Sequence, residues 1–257
     1  EFDHAEVSAE ALGDIVENRA VVGALLEQVL AAPDIATLSP ATLADCSRLD
    51  DGRMEIVLQE GDRLCAPLVV AADGAQSPLR EMLGFHTREW DYGHRAIVAT
   101  VEVSRSHEHT AWQRFLPTGP LALLPLPGGA GRHFCSIVWS VREELADELL
   151  AMDDQAFRGE LERASESRLG PVLEISRRFA FPLRQRHAVD YVQPGVALVG
   201  DAAHTIQTLA GQGINLGLQD VAALAEELVA AHRRVVEPGE LATLRSYQRR
   251  RKCENLL

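Results

Sequence analysis

Apolar positions along this chain fall into two periodicities, and the change from one to the other outlines its elements. From Leu12 onward the residues Leu12, Ile15, Val16, Val22, Leu25, Leu26, Val29 and Leu30 recur at steps of three and four, which predicts a helix over Gly13 to Ala32 ended by Pro33. Short strands are expected around 41–49, 54–59 and 68–72, with Asp50-Asp51-Gly52 and Glu60-Gly61-Asp62 as hairpin turns. From near Phe85 the texture changes. Segments 96–103, 111–116, 121–126 and 133–140 read as strands among Gly/Pro turns, followed by helices at 143–152 and 154–167. Gly170-Pro171 breaks that pattern, and a strand over 172–180 leads back towards a buried apolar run at Gly195 to Val199. No internal repeat or low-complexity tract interrupts this order.

Composition narrows the class. The 257 residues are 46% hydrophobic and carry a formal net charge of −13. No apolar run approaches the ~18 residues a membrane-spanning helix needs. The acidic balance argues against a nucleic-acid partner, because phosphate backbones select clustered Lys and Arg. Arg249 to Lys252 is the densest basic run and is expected to be a solvated helix end. Cys46, Cys65, Cys135 and Cys253 show no metal or redox spacing, which favours a reducing, cytoplasmic setting. His107-Glu108-His109 is expected to be an exposed loop, so no metal site is assigned.

The chemistry concentrates in Gly195-Val196-Ala197-Leu198-Val199-Gly200-Asp201-Ala202-Ala203-His204, which runs on to Ala210-Gly211-Gln212-Gly213-Ile214-Asn215-Leu216-Gly217-Leu218-Gln219-Asp220. It reads as a buried strand, a Gly-Asp turn, a loop and a glycine-led helix. Ligands settle beyond the carboxyl ends of strands in α/β sheets, where helix amino termini point unpaired N–H groups at negative charge. Gly200 permits a tight turn, Asp201 can accept from sugar hydroxyls, and Gly211 and Gly213 let a flat ligand touch backbone. A second apolar strand, Leu68 to Ala72, ends in Asp73-Gly74, with Ser77-Pro78 as a helix start.

These two motifs, in this order, resemble those of the class A FAD-dependent aromatic monooxygenases, the para-hydroxybenzoate hydroxylase-like superfamily. Phe2 to Glu6, Leu12 to Arg19, Cys135 to Ser140, Phe181-Pro182-Leu183 and Tyr247 to Lys252 with Asn255-Leu256-Leu257 resemble its ubiquinone-biosynthesis branch, so the likeness spans the chain. The resemblance implies an α/β fold with an α+β insertion: part of a Rossmann-like FAD-binding domain at 1–84 and 181–257, and a mostly antiparallel substrate-binding sheet domain at 85–180. It implies that Asp201 contacts ribityl or ribose hydroxyls, and that the helix start over Ala210, Gly211, Gln212, Gly213, Ile214 and Asn215 faces the flavin pyrimidine. By the same likeness, Asp73 and Gly74 lie where FAD and the nicotinamide donor approach. Arg19 resembles a position near the FAD phosphates, with a surface arginine as the equal alternative.

The implied activity is NAD(P)H-driven hydroxylation of a polyprenylated phenol through a flavin C4a-hydroperoxide. No protein nucleophile is required, and no catalytic residue is assigned. His204 is given no catalytic role, while Arg80 could pair with Asp73 or face solvent. Leu116, Leu121, Leu123, Leu124 and Leu126 could line an apolar substrate pocket or fill the strand core. Implied partners are the polyprenyl phenol, other ubiquinone-biosynthesis proteins, a membrane surface approached peripherally and a second copy of the chain.

Two departures from the family pattern stand out. No Gly-x-Gly-x-x-Gly fingerprint occurs, and the chain begins at Glu1 inside a segment resembling family interior. The expectation is a piece lacking the amino-terminal βαβ unit, stopping inside a carboxyl-terminal helix and not retaining FAD by itself. Thr208 stands where the family usually has proline, and Gln207 where it often has His or Asn, so greater loop freedom is expected. The alternatives kept open are a non-catalytic member of a lipid-biosynthesis complex, and a same-fold epoxidase, halogenase or prenyl reductase.

Overall fold

The computed structural model describes residues 10–129, 131–206 and 212–255. The chain divides into two compact units, one of residues 1–37 and 93–182, the other of residues 38–92 and 183–257. It passes between them inside two long strands, Thr87–Val103 (β5) and Phe179–Ala188 (β10).

In the first unit, β5 from His94 onward pairs antiparallel with His133–Arg142 (β8), which pairs with Gly119–Leu126 (β7) and through it Trp112–Leu116 (β6); Val172–Ile175 (β9) pairs with β5. Strand alternation sorts the side chains into two faces. Ile97, Ala99, Val101, Leu121, Leu123, Cys135, Ile137 and Trp139 form a core with Ala146 and Leu149 of helix Glu143–Ala151 (α3) and Phe157 and Leu161 of helix Asp154–Ala164 (α4). The Phe157 ring stands edge-on to Trp139 at 6.0 Å. On the other face Val98, Ala122, Leu124, Ser136 and Val138 are only half-buried. Helix Asn18–Ala31 (α1) buries none of its residues, and its apolar Val22, Leu25, Leu26 and Leu30 are exposed.

The second unit holds a three-stranded antiparallel sheet, Leu43–Arg48 (β1), Met54–Leu58 (β2) and Arg63–Ala66 (β3). A separate sheet contains Val69–Ala71 (β4) parallel to Val196–Leu198 (β12), with Val192–Gln193 (β11) antiparallel on the other side of β12. Pro78–Met82 (α2) follows β4, and His204–Thr205 (β13) pairs with the end of β10. Helices Gln212–Arg233 (α5) and Leu241–Asn255 (α6) supply Ala223, Leu224, Leu244 and Tyr247 to a core shared with Met54, Ala71, Tyr191 and Leu198.

The α/β class with a mostly antiparallel inserted sheet is the observed architecture. Several boundaries differ from expectation. The first helix starts at Asn18, where the Glu17 carbonyl begins to accept helical amides. A strand at Arg63–Ala66 was not expected; the Glu60-Gly61-Asp62 turn folds it onto β2 before Pro67. β5 begins at Thr87, where exposed polar residues mask the strand from its apolar pattern. The single strand expected over 172–180 is broken at Ser176 to Arg178, because the Ser176 hydroxyl takes the Thr100 amide and Arg178 turns inward to the carbonyls of Leu149 and Met152. Among the described residues no helix is long and apolar enough to cross a membrane.

Candidate flavin site

Parallel pairing of β4 with β12 aligns Ala71 with Leu198. The two motifs therefore leave adjacent strands in the same direction, although 127 positions separate these partners (198 − 71). Such a carboxyl-end crevice is where α/β sheets bind ligands. The Val199 amide donates to the Ala71 carbonyl at 3.0 Å and extends the pairing to the start of the turn.

At the first motif Asp73 organises its own loop. Its Oδ1 accepts from the Ser77 hydroxyl at 2.5 Å and its Oδ2 from the Leu79 amide at 3.0 Å, while Ser77 Oγ accepts the Arg80 amide. This is an amino-terminal cap, with Pro78 in the first turn where its missing N–H costs nothing. Gly74 has a φ of +84°, and a Cβ there would meet nothing within 4 Å, so its backbone borders open space. Arg80 pairs with neither Asp73 nor solvent. Its buried guanidinium donates to the Ala202 carbonyl at 3.0 Å and the Ala75 carbonyl at 2.8 Å, tying the two turns together. Burial, then the charge of Arg186, holds its pKa below the usual arginine value.

At the second motif Gly200 adopts φ +56°, a left-handed conformation that suits glycine. Its Cα sits so near α5 that a Cβ on Gly217 would stand 3.3 Å from it. The Asp201 side chain is exposed, and no described residue pairs with its carboxylate. His204 Nδ1 and Thr205 Oγ1 are buried without a hydrogen-bond partner among the described residues. Ala210 and Gly211, with Gln207 and Thr208, lie outside the described residues. Gln212 opens α5; Gly213 is half-buried, and Ile214 and Asn215 are exposed in its first turn, which carries no acidic side chain. Arg19 belongs to the first unit, where it is exposed and ion-paired with Glu17.

Beneath the turn lies a polar cluster that sequence patterning had not assembled. Asp220 of α5 is fully buried and accepts from the Gly200 amide at 3.0 Å, His204 Nε2 at 2.5 Å, Arg251 Nε at 2.7 Å and Asn255 Nδ2 at 3.2 Å. Burial raises its pKa, but the hydrogen bonds from His204 and Arg251 outweigh this and leave it below the ordinary carboxylate value. The expectation of a solvated basic helix end is corrected at Arg251, which is 2% exposed because α6 turns that residue onto Asp220. Arg249 and Arg250 do face solvent, and Lys252 is half-buried with its ammonium on the Val189 carbonyl. The 249–252 run spans every face of one helical turn, so composition could not say which cation points inward. His107 is also inside: its Nε2 meets the Leu126 carbonyl at 3.2 Å and its Nδ1 accepts the His109 amide, leaving neither nitrogen for a metal.

A carboxylate exposed and unpaired among the described residues, a glycine backbone on open space, a close strand-to-helix approach and polar atoms unsatisfied among those residues fit the edge of a sugar-bearing, planar cofactor. Residues 50–254 match the family described as an FAD binding domain. The chain belongs to that family. It is 43% identical over 255 residues to ubiquinone hydroxylase UbiL of Rhodospirillum rubrum, covering 99% of this chain and 58% of that protein. It is 39% identical over 256 residues to 3-demethoxyubiquinol 3-hydroxylase of Escherichia coli, covering 100% of this chain and 64% of that protein. The chain thus spans about three fifths of the length of these relatives. Among solved structures, PqsL of Pseudomonas aeruginosa, a probable FAD-dependent monooxygenase, superposes with a TM-score of 0.76 at 24% identity, covering 92% of this chain and 66% of that one. That likeness shows the fold.

Proposed function

We propose that this chain is the flavin-seating and substrate-sheet part of an FAD-dependent hydroxylase of ubiquinone biosynthesis, acting on a polyprenylated phenol with a reduced nicotinamide as electron donor. The observation that carries the reading is the meeting of Asp73-Gly74 and Gly200-Asp201 at the ends of neighbouring parallel strands, within the matched FAD binding domain. The names of the two enzyme relatives supply the substrate class.

In this reading Asp201 accepts from the cofactor's polyol or ribose hydroxyls, and Gly74 offers unobstructed backbone. The first turn of α5 supplies amides and a positive helix end suited to negative charge. Residues 38–92 and 183–257 form the part that seats the cofactor, and residues 93–182 supply the substrate sheet. There the half-buried Val98, Val138 and Ala122 lie in register across β5, β8 and β7, with Leu124 one pair along, and make an apolar wall for a phenol and its prenyl chain. Leu121 and Leu123 face the helices and serve the core. Bound FAD would supply the reduction and oxygen chemistry, while the protein positions the ring and excludes water. The four unpaired cysteines suit a reducing compartment such as the cytoplasm.

The test is made on the whole protein. A flavin absorbance spectrum, NAD(P)H oxidation stimulated by a polyprenyl phenol, and a product heavier by one oxygen atom are expected. Absence of bound flavin, or flavin reduction without oxygen insertion, would refute the assignment.

A further inference from the structure

The Gly200–Asp201 turn carries the exposed carboxylate and closes on itself through a backbone hydrogen bond, from the Ala203 amide to the Gly200 carbonyl at 2.9 Å. Its peptide is gripped from beneath by Asp220, twenty positions on in the chain. Gly217 and Asp220 are three residues apart in α5 and so lie on one face of the helix. The first has no side chain and admits the backbone of Gly200; the second takes its amide. With φ at +56°, Gly200 places a non-repetitive bend at the end of β12, and its amide ties that bend to α5.

Asp220 is in turn held by α6. Arg251 and Asn255, four apart on one face of α6, both donate to Oδ1, and Arg251 Nη2 also donates to Asn255 Oδ1 at 2.9 Å. His204, three residues past Asp201, donates to Oδ2 beside the Gly200 amide. The carboxylate therefore touches the chain on both sides of Asp201. A fully buried charge is retained at a cost that hydrophobic replacement would avoid, which makes a geometric role the informative explanation.

We propose that Asp220 is the positioning residue of the Gly200–Asp201 turn, setting where the Asp201 carboxylate stands by clamping the Gly200 amide and the His204 ring, with Arg251 and Asn255 of α6 as its supports. The clamp is read from geometry alone; its consequence for flavin rests on the assignment made under the proposed function. Asp220 touches no cofactor in this scheme and acts through the backbone it holds.

The experiment compares Asp220→Ala, Asp220→Asn and, as a destabilising control in the same unit, Met54→Ala, all in the whole protein at a temperature where circular dichroism shows each folded. FAD affinity is read by flavin fluorescence quenching, the bound flavin by its visible spectrum, and the Gly200 amide by hydrogen exchange relative to Gly159 in α4. Asp220→Ala is expected to weaken FAD about tenfold or more, shift the flavin spectrum and speed Gly200 exchange by about tenfold relative to Gly159, the size of one lost hydrogen bond to a charged group. Asp220→Asn, which keeps an acceptor for the amide, should fall between it and wild type, and it carries the comparison if the alanine variant does not fold. Met54→Ala should lower the melting temperature and leave FAD affinity within about twofold. Wild-type FAD affinity and Gly200 exchange in the Asp220 variants would overturn the proposal, as would an equal loss of affinity in Met54→Ala. If wild type itself takes up no FAD, the functional assignment falls while relative Gly200 exchange still decides the clamp.

Discussion

The Arg80 guanidinium reaches the Ala202 carbonyl at 3.0 Å, across 122 positions of sequence, while its other terminal nitrogen holds Ala75 in its own loop. One buried cation thus sets the spacing between the Asp73-Gly74 loop and the Gly200-Asp201 turn. Both acceptors are main-chain carbonyls, so the contact depends on backbone position and not on the neighbouring residue types.

Removing that cation should loosen both turns together. Arg80→Met keeps much of the side-chain volume and leaves the buried Ala202 carbonyl without its donor, while the half-buried Ala75 carbonyl keeps Arg186, for a loss of about 1–3 kcal/mol. Urea unfolding measures it. A loss under about 0.5 kcal/mol would mean that other groups set the spacing.

Asp201 should behave in the opposite way. Its carboxylate is exposed and unpaired among the described residues, so Asp201→Ala is expected to move the melting temperature little. FAD affinity should fall about tenfold to a hundredfold, as expected when a charge-assisted hydrogen bond to ligand is deleted. Unchanged flavin affinity in titration would take Asp201 out of the cofactor seat.

In the first unit Gly119 is held under a tight steric constraint. Its φ is +129°, and an added Cβ would lie 2.1 Å from the Ser140 carbonyl oxygen, a backbone atom that cannot swing away. Gly119→Ala should displace the start of β7 from β8 and cost about 2 kcal/mol or more. Thermal unfolding checks this, with Gly129→Ala as a tolerated comparison because a Cβ there meets nothing within 4 Å.

Acid sensitivity should trace in part to His187. Burial, with smaller contributions from the charges of His204 and Lys252, holds its pKa below the ordinary 6.5, against hydrogen bonds at Ala188 and Asn255 that favour the proton. The unfolded chain then takes up this proton before the folded one does. The stabilisation is complete above about pH 6.5 and is lost as pH falls through the folded value. His187→Gln should flatten the decline in urea midpoint between about pH 7.5 and 5.5; an identical slope would exclude His187 as its source.

Much of the fold was legible because short-range patterning is strong here. Alternation marked β6, β7 and β8, and the three- and four-residue rhythm marked α3 and α4, to within a few residues. The broken strand at Ser176 to Arg178 was not legible, since the cause is a contact from Ser176 to Thr100 and from Arg178 to carbonyls of α3 and its end. That Asp73 and Asp201 follow the ends of two strands was legible through turn chemistry and the apolar runs before them. Asp220 was visible as the last residue of the motif, yet nothing in its spacing from Gly200 says that the carboxylate turns back beneath the glycine.

The sequence by itself determined the elements, the two turn-forming motifs and their likeness to a flavin-binding family, because propensity, periodicity and turn chemistry act over a few residues. Only the tertiary structure decided that Ala71 would lie beside Leu198, that Arg80 would bridge two loops, and that Arg251 alone among its basic neighbours would enter the interior to meet Asp220. Those outcomes depend on which faces of distant strands and helices are buried together. A buried charge is retained only where partners from several elements converge on it.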